Sequence, residues 1–212
     1  MNSMSRTSCI GGFDVAMTGR HCWLVDCGGR RQLPSMRWRA QPDRADAELL
    51  ARCHGPTVDV GCGPGRLAAA LTARGVVALG VDTSMLAVQL TRQRGAAALR
   101  RDVFDPLPGE GRWRHALLVD GNLGIGGNPV DLLDRCAELI SADGSVLLEV
   151  DPKVSGVRRC MATVEHDGGR SAPFRWALVG LDATADLASA TGYTVSADWR
   201  CDNRAFVELT RM

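Results

Sequence analysis

Residues 58–66 read Val-Asp-Val-Gly-Cys-Gly-Pro-Gly-Arg, a short apolar run that opens into three alternating glycines. Glycines in such a turn let backbone amides approach a ligand, and a helix that begins directly after the turn offers unpaired N–H groups. Asp59, two residues before the first glycine, suits a cationic ligand group better than a pyrophosphate. Arg66 stands where the dinucleotide fingerprint G-x-G-x-x-G needs its third glycine. The segment therefore predicts a nucleotide-type site for a ligand that carries a cationic group.

Three further acids follow short apolar runs later in the chain. Asp82, Asp102 and Asp120 each come directly after, or close behind, a run that is predicted to be a strand. A carboxylate at the position of Asp82 can accept both hydroxyls of a ribose. One such acid alone is weak evidence, because Asp after a strand is often only a turn residue. The ordered set behind a glycine turn favours an adenosine site.

This set resembles motif I and the following strand ends of the class I S-adenosylmethionine (AdoMet) methyltransferases. The resemblance implies AdoMet as cofactor and S-adenosylhomocysteine (AdoHcy) as product. It also implies that Asp59 serves the methionine amino group, directly or through water, that Asp82 binds ribose, and that Asp102 with Val103 holds adenine. The remaining implied cofactor residues are those of the glycine turn and three strand ends: Gly61, Cys62, Gly63, Gly65, Thr83, Met85, Asp120 and Gly121. Among them, Met85 is expected against the adenine face and Asp120 near the sulfonium.

The elements that position these residues alternate between strand and helix from residue 56 to 151. Apolar runs at 57–60, 76–81, 97–100, 116–119 and 145–150 predict strands, and 66–74, 85–94 and 129–140 predict helices. Strands that are apolar throughout and alternate with helices indicate a parallel sheet covered on both faces. After a predicted helix at 181–190, two strands at 193–200 and 205–211 are joined by four residues. So short a connection requires antiparallel pairing.

The predicted fold class is therefore α/β, with a mostly parallel seven-stranded sheet, helices on both faces and a C-terminal antiparallel hairpin. Small N-terminal and inserted hairpins are added to it. We expect a single methyltransferase domain over residues 1–212. Its parts are an N-terminal extension or lid at 1–55, an AdoMet-binding core at 56–151, an inserted hairpin at 153–180 and a C-terminal helix and strands at 181–212.

The two added segments carry the candidates for acceptor binding. Residues 22–26 and 32–38 are compatible with a small hairpin, and residues 44–53 predict a helix. Segments 20–40 and 153–180 are expected to meet over the crevice at the carboxyl edge of the sheet, where open α/β folds bind ligands. Trp38 and Trp176 then either wall the acceptor pocket or anchor the hairpins. Asn122 and His166 are further candidates for acceptor contact, and His21 and His166 are either a general base or surface histidines. No catalytic residue is identified.

Composition and missing motifs exclude several functions. The net charge of +1 provides no field for a polyanion, although the arginines at 30, 31, 37 and 39 leave an anionic acceptor or an RNA backbone open. Asp120-Gly121-Asn122 lacks the Pro-Pro-Tyr typical of nucleic-acid N-methyltransferases. The eight cysteines form no C-x-x-C pair, which argues against zinc and for reduced thiols in the cytoplasm. No metal site and no membrane span are predicted.

The sequence thus favours an AdoMet-dependent methyltransferase that acts on a small-molecule acceptor by in-line methyl transfer. Two alternatives stay open. One is an RNA or protein methyltransferase, and the other is a non-catalytic binding protein with the AdoMet fold. The acceptor and the oligomeric state are not predicted.

Overall fold

The computed structural model describes residues 12–212, so Cys9 lies outside the described part. The elements in chain order are α1 Asp14–Met17, β1 Cys22–Asp26, β2 Gly29–Gln32, α2 Ser35–Arg39, α3 Arg44–Leu50, β3 Thr57–Val60, α4 Arg66–Ala73, β4 Ala78–Asp82, α5 Met85–Gln93, β5 Ala97–Arg100, β6 Trp113–Leu118, a 3-10 helix Asn122–Gly127, α6 Pro129–Leu139, β7 Ile140–Val150, β8 Val157–His166, β9 Gly169–Arg170, β10 Phe174–Val179, a second 3-10 helix Leu181–Ala183, α7 Thr184–Ala190, β11 Tyr193–Cys201 and β12 Arg204–Arg211.

The larger sheet has seven strands in the order β5-β4-β3-β6-β7-β12-β11. The five strands from β5 to β7 are parallel to their neighbours. β12 lies antiparallel to β7, and β11 lies antiparallel to β12. The predicted fold class is confirmed, including the C-terminal antiparallel hairpin. The strand order reverses between β3 and β6, which is the place where open sheets of this type bind ligands.

Alternate residues of the strands point to opposite faces of this sheet. Both faces are buried, because helices pack on each of them. Ala116 and Leu118 of β6 belong to the core cluster that contains α6 and α7 residues. Leu117 belongs to a second cluster, together with Leu49 of α3 and Leu71 of α4. The central strands are therefore mostly apolar, as a sheet covered on both sides requires. The polar exceptions in β3 and β6 include Thr57, Asp59 and His115, which are buried.

A second sheet, which we call the cap sheet, is built from both added segments. Its path is β10-β8-β1-β2, with β9 paired to β8. β1 pairs antiparallel with β8, for example Leu24 with Val164. It has its own apolar cluster, which includes Leu24, Val164 and Trp176. The expectation that segments 20–40 and 153–180 meet is confirmed, although they form one sheet and not two separate hairpins.

Several predicted boundaries are wrong. Residues 35–38 were expected to continue a strand, but they begin α2, because Pro34 has no N–H for strand pairing and a fixed φ that suits a helix start. The helix predicted at 181–190 is divided into a 3-10 turn and α7. β6 and β7 both begin earlier than predicted, and β7 extends from Ile140 with a register irregularity opposite Trp113–His115.

Candidate functional site

A cavity of about 990 Å³ lies at the carboxyl ends of β3, β4, β6 and β7, where the cap sheet meets the larger sheet. Most of the residues predicted to bind cofactor or acceptor line it. They are Trp38, Asp59, Gly61, Cys62, Gly63, Asp82, Thr83, Asp102, Val103, Asp120, Gly121, Asn122 and Trp176. Trp38 and Trp176, which are 138 positions apart in the sequence, therefore line the same cavity.

The glycine turn has positive φ at Gly61, Gly63 and Gly65, and the last two differ in what surrounds them. Gly65 has φ +79°, and a Cβ there would lie 2.7 Å from Cα of Thr91 in α5. Gly63 has φ +52°, but a Cβ there would meet open space. Gly65 therefore allows close packing of the turn on α5. At Gly63 no side chain occupies the adjoining space in the cavity. The side-chain amide of Asn122 donates to the carbonyls of Val60 (2.8 Å) and Gly61 (2.9 Å), so it holds this turn.

Asp59 is a buried acid with 3% exposure at the bottom of the cavity. Burial raises the pKa of its carboxyl to about 7, and the negative charges of Asp120 and Asp82 add to the rise. A backbone hydrogen bond from Ala68 opposes it. A cationic ligand group beside Asp59 would stabilise the carboxylate form, which is the charge preference expected from the sequence.

Asp82, at the end of β4, receives a backbone N–H at each carboxylate oxygen, from Gly63 (3.0 Å) and from Ser84 (2.8 Å). Burial raises its pKa, while these two hydrogen bonds act in the opposite direction. A carboxylate has about four lone-pair sites, so both oxygens can still accept hydroxyls. Ser84 also donates its hydroxyl to Asp14 of α1 at 2.6 Å, which brings the N-terminal helix to this corner.

Asp102 lies beyond β5 and accepts the N–H of Phe104 at 3.1 Å through one oxygen. Its other oxygen accepts no hydrogen bond from residues 12–212. Val103 beside it is almost fully buried, with 4% exposure. The two residues together present a polar edge and an apolar surface to the same part of the cavity.

Asp120 is the anchor of a buried ion-pair network. Its backbone has φ +59°, one of two non-glycine residues in the described chain with positive φ. One carboxylate oxygen accepts from Arg37 of α2, and the other accepts from Arg66 of α4 at 2.6 Å. Burial alone would raise the pKa of Asp120, but Arg66, Arg37 and Arg204 outweigh it and hold the pKa below its ordinary value. Asp120 is therefore a fixed anion and not a proton acceptor.

The network continues through Arg66, Arg204 and Glu149, which also line the cavity. Arg66 also pairs with Asp46, and Arg204 bridges Asp46 (2.8 Å) and Glu149 (2.8 and 2.9 Å). Glu149 accepts the backbone N–H of Asp120 at 2.7 Å. These partners were not predicted from the sequence. Arg66 was noted only as an exception to the dinucleotide fingerprint, and the other residues lie in segments where charged residues are ordinary.

Aromatic side chains form the cap side of the cavity. Phe13 contacts Trp38, Phe174 and Trp176, with ring centroids 6.2, 5.4 and 5.5 Å away. Trp176 is 5% exposed and lies against Gly124, where an added Cβ would be 2.8 Å from the indole. Trp38 and Trp176 therefore both line the cavity and anchor the cap, so the two interpretations of them are compatible. Phe13 was not predicted.

Three predicted site residues do not line the cavity. Gly65 lies behind the glycine turn, and Met85 is 47% exposed at the start of α5. His166 is at the end of β8, where its Nδ1 accepts the N–H of Gly168. His21 also lies away from the cavity and is hydrogen-bonded to Gln32 at 3.2 Å. Neither histidine is positioned as a base.

The four arginines considered as an anion-binding cluster each have a partner within the described residues. Arg30 lies over the Trp23 ring and pairs with Glu165, while Arg31 pairs with Asp151 at 3.1 Å. Arg37 pairs with Asp120, and Arg39 donates to the carbonyl of Thr18. They do not form a common basic surface.

Other reactive side chains are held in structural roles. Burial raises the pKa of Cys62 well above its ordinary value, so it is a neutral thiol beside Thr91. Burial lowers the pKa of His115 to about 4, and the neutral ring bonds Ser145 at 2.9 Å. Within residues 12–212, no group of three His, Cys, Asp or Glu side chains is arranged to hold a metal ion. No helix in the described residues is long and apolar enough to span a membrane.

No protein-family model and no curated protein matches the sequence. Among solved structures, the chain is similar to a SAM-dependent methyltransferase from Bacteroides fragilis in complex with AdoHcy, with TM-score 0.78, 18% identity and coverage of 94% of this chain and 93% of that one. It is also similar to the 1,6-didemethyltoxoflavin-N1-methyltransferase of Burkholderia thailandensis, with TM-score 0.59, 21% identity and coverage of 79% and 76%. A third similar structure is an amino pentose methyltransferase from Micromonospora echinaspora, with TM-score 0.60, 16% identity and coverage of 84% and 95%.

The chain has the class I, Rossmann-like fold of the SAM-dependent methyltransferases.

Proposed function

We propose that the protein is an AdoMet-dependent methyltransferase that acts on a small-molecule acceptor. The observation that carries the proposal is the arrangement of Asp59, the glycine turn, Asp82 and Asp102 around one cavity. These groups follow the carboxyl ends of successive parallel strands, where a doubly wound sheet binds an extended nucleoside ligand. The fold of the methyltransferases supports the same conclusion.

The residues present fit AdoMet at each part of the ligand. Asp82 has free lone pairs for a ribose diol, and Asp102 with Val103 offers an acceptor and an apolar wall for adenine. Gly63 leaves open space where a side chain would fill the turn. Asp59 is a buried acid whose charge a cationic amino group would stabilise. The rest of the cavity wall around the proposed cofactor site is formed by Gly61, Cys62, Thr83 and Gly121.

When bound, AdoMet supplies a methyl group on a sulfonium, which is already activated toward a nucleophile. The protein then needs to position the acceptor and exclude water more than to move protons. Trp38 and Trp176 provide an apolar wall opposite the cofactor residues. Asp120 stays ionised at the end of β6 because Arg37 and Arg66 pair with it.

A small-molecule acceptor fits the way in which the cap sheet covers the cavity. Of the four arginines that left an RNA backbone open as an alternative, Arg30, Arg31 and Arg37 form ion pairs within the chain. Several similar structures are methyltransferases of small molecules, among them the enzymes for 1,6-didemethyltoxoflavin, magnesium protoporphyrin IX and an amino pentose. A cytoplasmic location is part of this proposal, and buried cysteines that pack as small apolar side chains support it.

Calorimetry tests the donor. We expect AdoMet and AdoHcy to bind in the micromolar range and NAD to bind negligibly. Asp82→Ala should weaken AdoHcy binding by about 2–3 kcal/mol, because charge-assisted hydrogen bonds to ribose are lost. Binding of NAD without AdoMet would refute the proposal, and an unchanged affinity in the variant would remove Asp82 from the site.

A second measurement separates an enzyme from a binding protein. Protein incubated with isotopically methyl-labelled AdoMet and a small-molecule cell extract should transfer label to an acceptor below the size of a protein or RNA. Label that appears only in RNA or protein would favour the corresponding alternative.

A further inference from the structure

Two arginines of the cap sheet lie on the face that is turned to the cavity. Arg31 of β2 pairs with Leu24 of β1, which packs in the apolar cluster of the cap. Arg158 of β8 pairs with Leu178 of β10, a member of the same cluster. Residues that pair directly across antiparallel strands point to the same face of a sheet. Both arginines and both leucines line the cavity.

The fully buried carboxylate of Asp26 holds the two guanidinium groups beside each other. Its Oδ2 lies 3.5 Å from Nη2 of Arg31, and its Oδ1 lies 3.5 Å from Nη2 of Arg158. The N–H of Gly28 donates to Oδ1 at 2.6 Å. A Cβ at Gly28 would collide with the guanidinium of Arg158. The turn after β1 therefore supplies both the anion that orients the pair and the space that Arg158 occupies.

Both guanidinium groups keep donors available on the cavity side. Arg158 is 36% exposed and donates no hydrogen bond to any residue within 12–212. Arg31 is 31% exposed and uses Nη1 for Asp151 at 3.1 Å. In each of these two arginines only Nε is buried without a partner, so the accessible donors are on the Nη atoms. A guanidinium presents such donors in a planar fork that matches a carboxylate.

A third cation, Lys153, lies next to this pair. It is the only lysine of the chain, its side chain is exposed, and it lines the cavity without an ion pair to any residue within 12–212. Its backbone N–H donates at 2.9 Å to Asp151, the acid that pairs with Arg31. We call Arg31, Lys153 and Arg158 the cap cations. Their three positive charges against the two negative charges of Asp26 and Asp151 leave a net charge of +1.

We propose that the methyl acceptor is an apolar molecule that carries a carboxylate, and that the cap cations bind this carboxylate. The apolar part of the acceptor lies against the aromatic wall formed by Phe13, Trp38 and Trp176. A single net positive charge suits a monoanion. A carboxylate that is paired with cations is a weak nucleophile, so another atom of the acceptor takes the methyl group. This inference rests on the proposed function and names its class of acceptor.

Fractionation of a small-molecule cell extract tests the acceptor class. An anion exchanger retains carboxylates and phosphates at about pH 8, but only phosphates at about pH 2.5, because carboxyl groups are then protonated. With methyl-labelled AdoMet, the protein should label compounds that are retained at the higher pH and released at the lower one, and the product should behave in the same way. Label in unretained compounds, or in compounds held at both pH values, would overturn the inference and leave the proposed function intact.

A substitution in the cap tests the residues. Arg158→Met should raise KM for the retained acceptor roughly 10- to 100-fold, as for lost charge-assisted hydrogen bonds. Calorimetry should show AdoHcy affinity within about 2-fold of wild type, because Arg158 is separate from the proposed cofactor residues. The matched control is Arg159→Met, the next residue of β8, which donates to Asn128 at 2.9 Å and does not line the cavity. It should change neither value. An unchanged KM in an Arg158→Met protein that binds AdoHcy normally would overturn the assignment.

Chemical labelling of the unmodified protein requires neither turnover nor a variant. Because the chain has one lysine, acetylation of Lys153 by an amine-reactive ester can be followed in a single internal peptide by mass spectrometry. With AdoHcy bound, 2-naphthoate should slow this acetylation several-fold, whereas the neutral 2-naphthamide of the same shape should not. Equal slowing by both probes, or by neither, would contradict the inference. If the protein bound no AdoHcy and labelled no fraction, the proposed function would fall and this inference with it.

Discussion

The stability of the folded protein should depend on pH through the buried carboxyl group of Asp59. Its pKa is about 7 in the folded protein and near 3.8 in the unfolded chain. Well below pH 3.8 both states hold the proton. Between these values the folded state holds more protons, so stability falls as pH rises, and the whole cost is present above pH 7. The cost is at most about 4 kcal/mol, from three pKa units.

Asp59→Asn removes this titration and keeps an oxygen that accepts from Ala68. The variant should therefore be more stable than wild type at pH 8 and lose that advantage toward pH 4. Urea unfolding of both proteins between pH 4 and 8, without ligand, measures it. A constant difference across this range would show that Asp59 is ionised throughout. The same substitution should weaken AdoHcy binding, so the stability gain would accompany a loss of affinity.

Residue roles that follow from strand ends were accessible from the sequence, whereas those that depend on distant partners were not. Asp59 and Asp82 are in fixed positions relative to the glycine turn, and both line the cavity. Arg37 is one of four arginines within ten residues, and only the fold distinguishes it from Arg39. Met85 was placed by its position after Asp82, but the first residue of α5 points to solvent. Its 47% exposure illustrates how a helix start can carry a nearby side chain away from the site.

The turn between β3 and α4 contains two glycines, Gly63 and Gly65, whose replacement by alanine should have different effects on stability. Gly65→Ala has to accommodate both φ +79° and contacts with the Cα and side chain of Thr91. Strain of about 1–2 kcal/mol and overpacking of about 1–3 kcal/mol add, so we expect a loss of roughly 2–5 kcal/mol. Gly63→Ala has only the backbone strain, because its Cβ meets no atom within 4 Å.

Thermal or urea unfolding should thus rank the variants wild type, Gly63→Ala, Gly65→Ala in falling stability. Calorimetry on the folded fraction of each variant should give the opposite order for their affinities for AdoHcy. Gly63→Ala places a methyl group in the cavity and should bind poorly, whereas folded Gly65→Ala should keep more affinity. Equal stabilities for the two variants would contradict the close packing of the turn on α5.

Most core elements follow from local patterns. β3 and β5 have the predicted bounds, and α5 begins at the predicted residue because Ser84 caps it by accepting the N–H of Ala87 at 3.1 Å. The 3-10 helix Asn122–Gly127 did not follow, since glycine-rich segments have little periodicity. It is held instead by packing against β10, which lies more than forty residues later.

The cap sheet joins two distant segments of the chain, and no local sequence pattern specifies how they pair. The register of β1 on β8, Cys22 with His166 to Val25 with Thr163, depends on side chains about 140 residues apart. That the two segments would meet could be predicted from the common sheet edge. That β1 lies between β2 and β8 in one sheet could not, because either hairpin is also a plausible unit on its own.

One ion pair between the cap and the core predicts how the two sheets move. Arg31 of β2 pairs at 3.1 Å with Asp151, which follows β7, and both side chains are about one-third exposed. Such a partly exposed pair contributes about 0.5–1 kcal/mol. Asp151→Asn should therefore raise hydrogen exchange in β1, β2 and β8 about 2- to 5-fold, because the cap opens locally without global unfolding. β3, β6 and β7 should be unaffected. Arg170→Ala, which removes a pair with Glu165 inside the cap sheet, serves as the control and should leave the exchange of β1 and β2 unchanged. If exchange in Asp151→Asn rose equally in the cap and the larger sheet, the two sheets would form one cooperative unit, and access to the cavity would require more than movement of the cap.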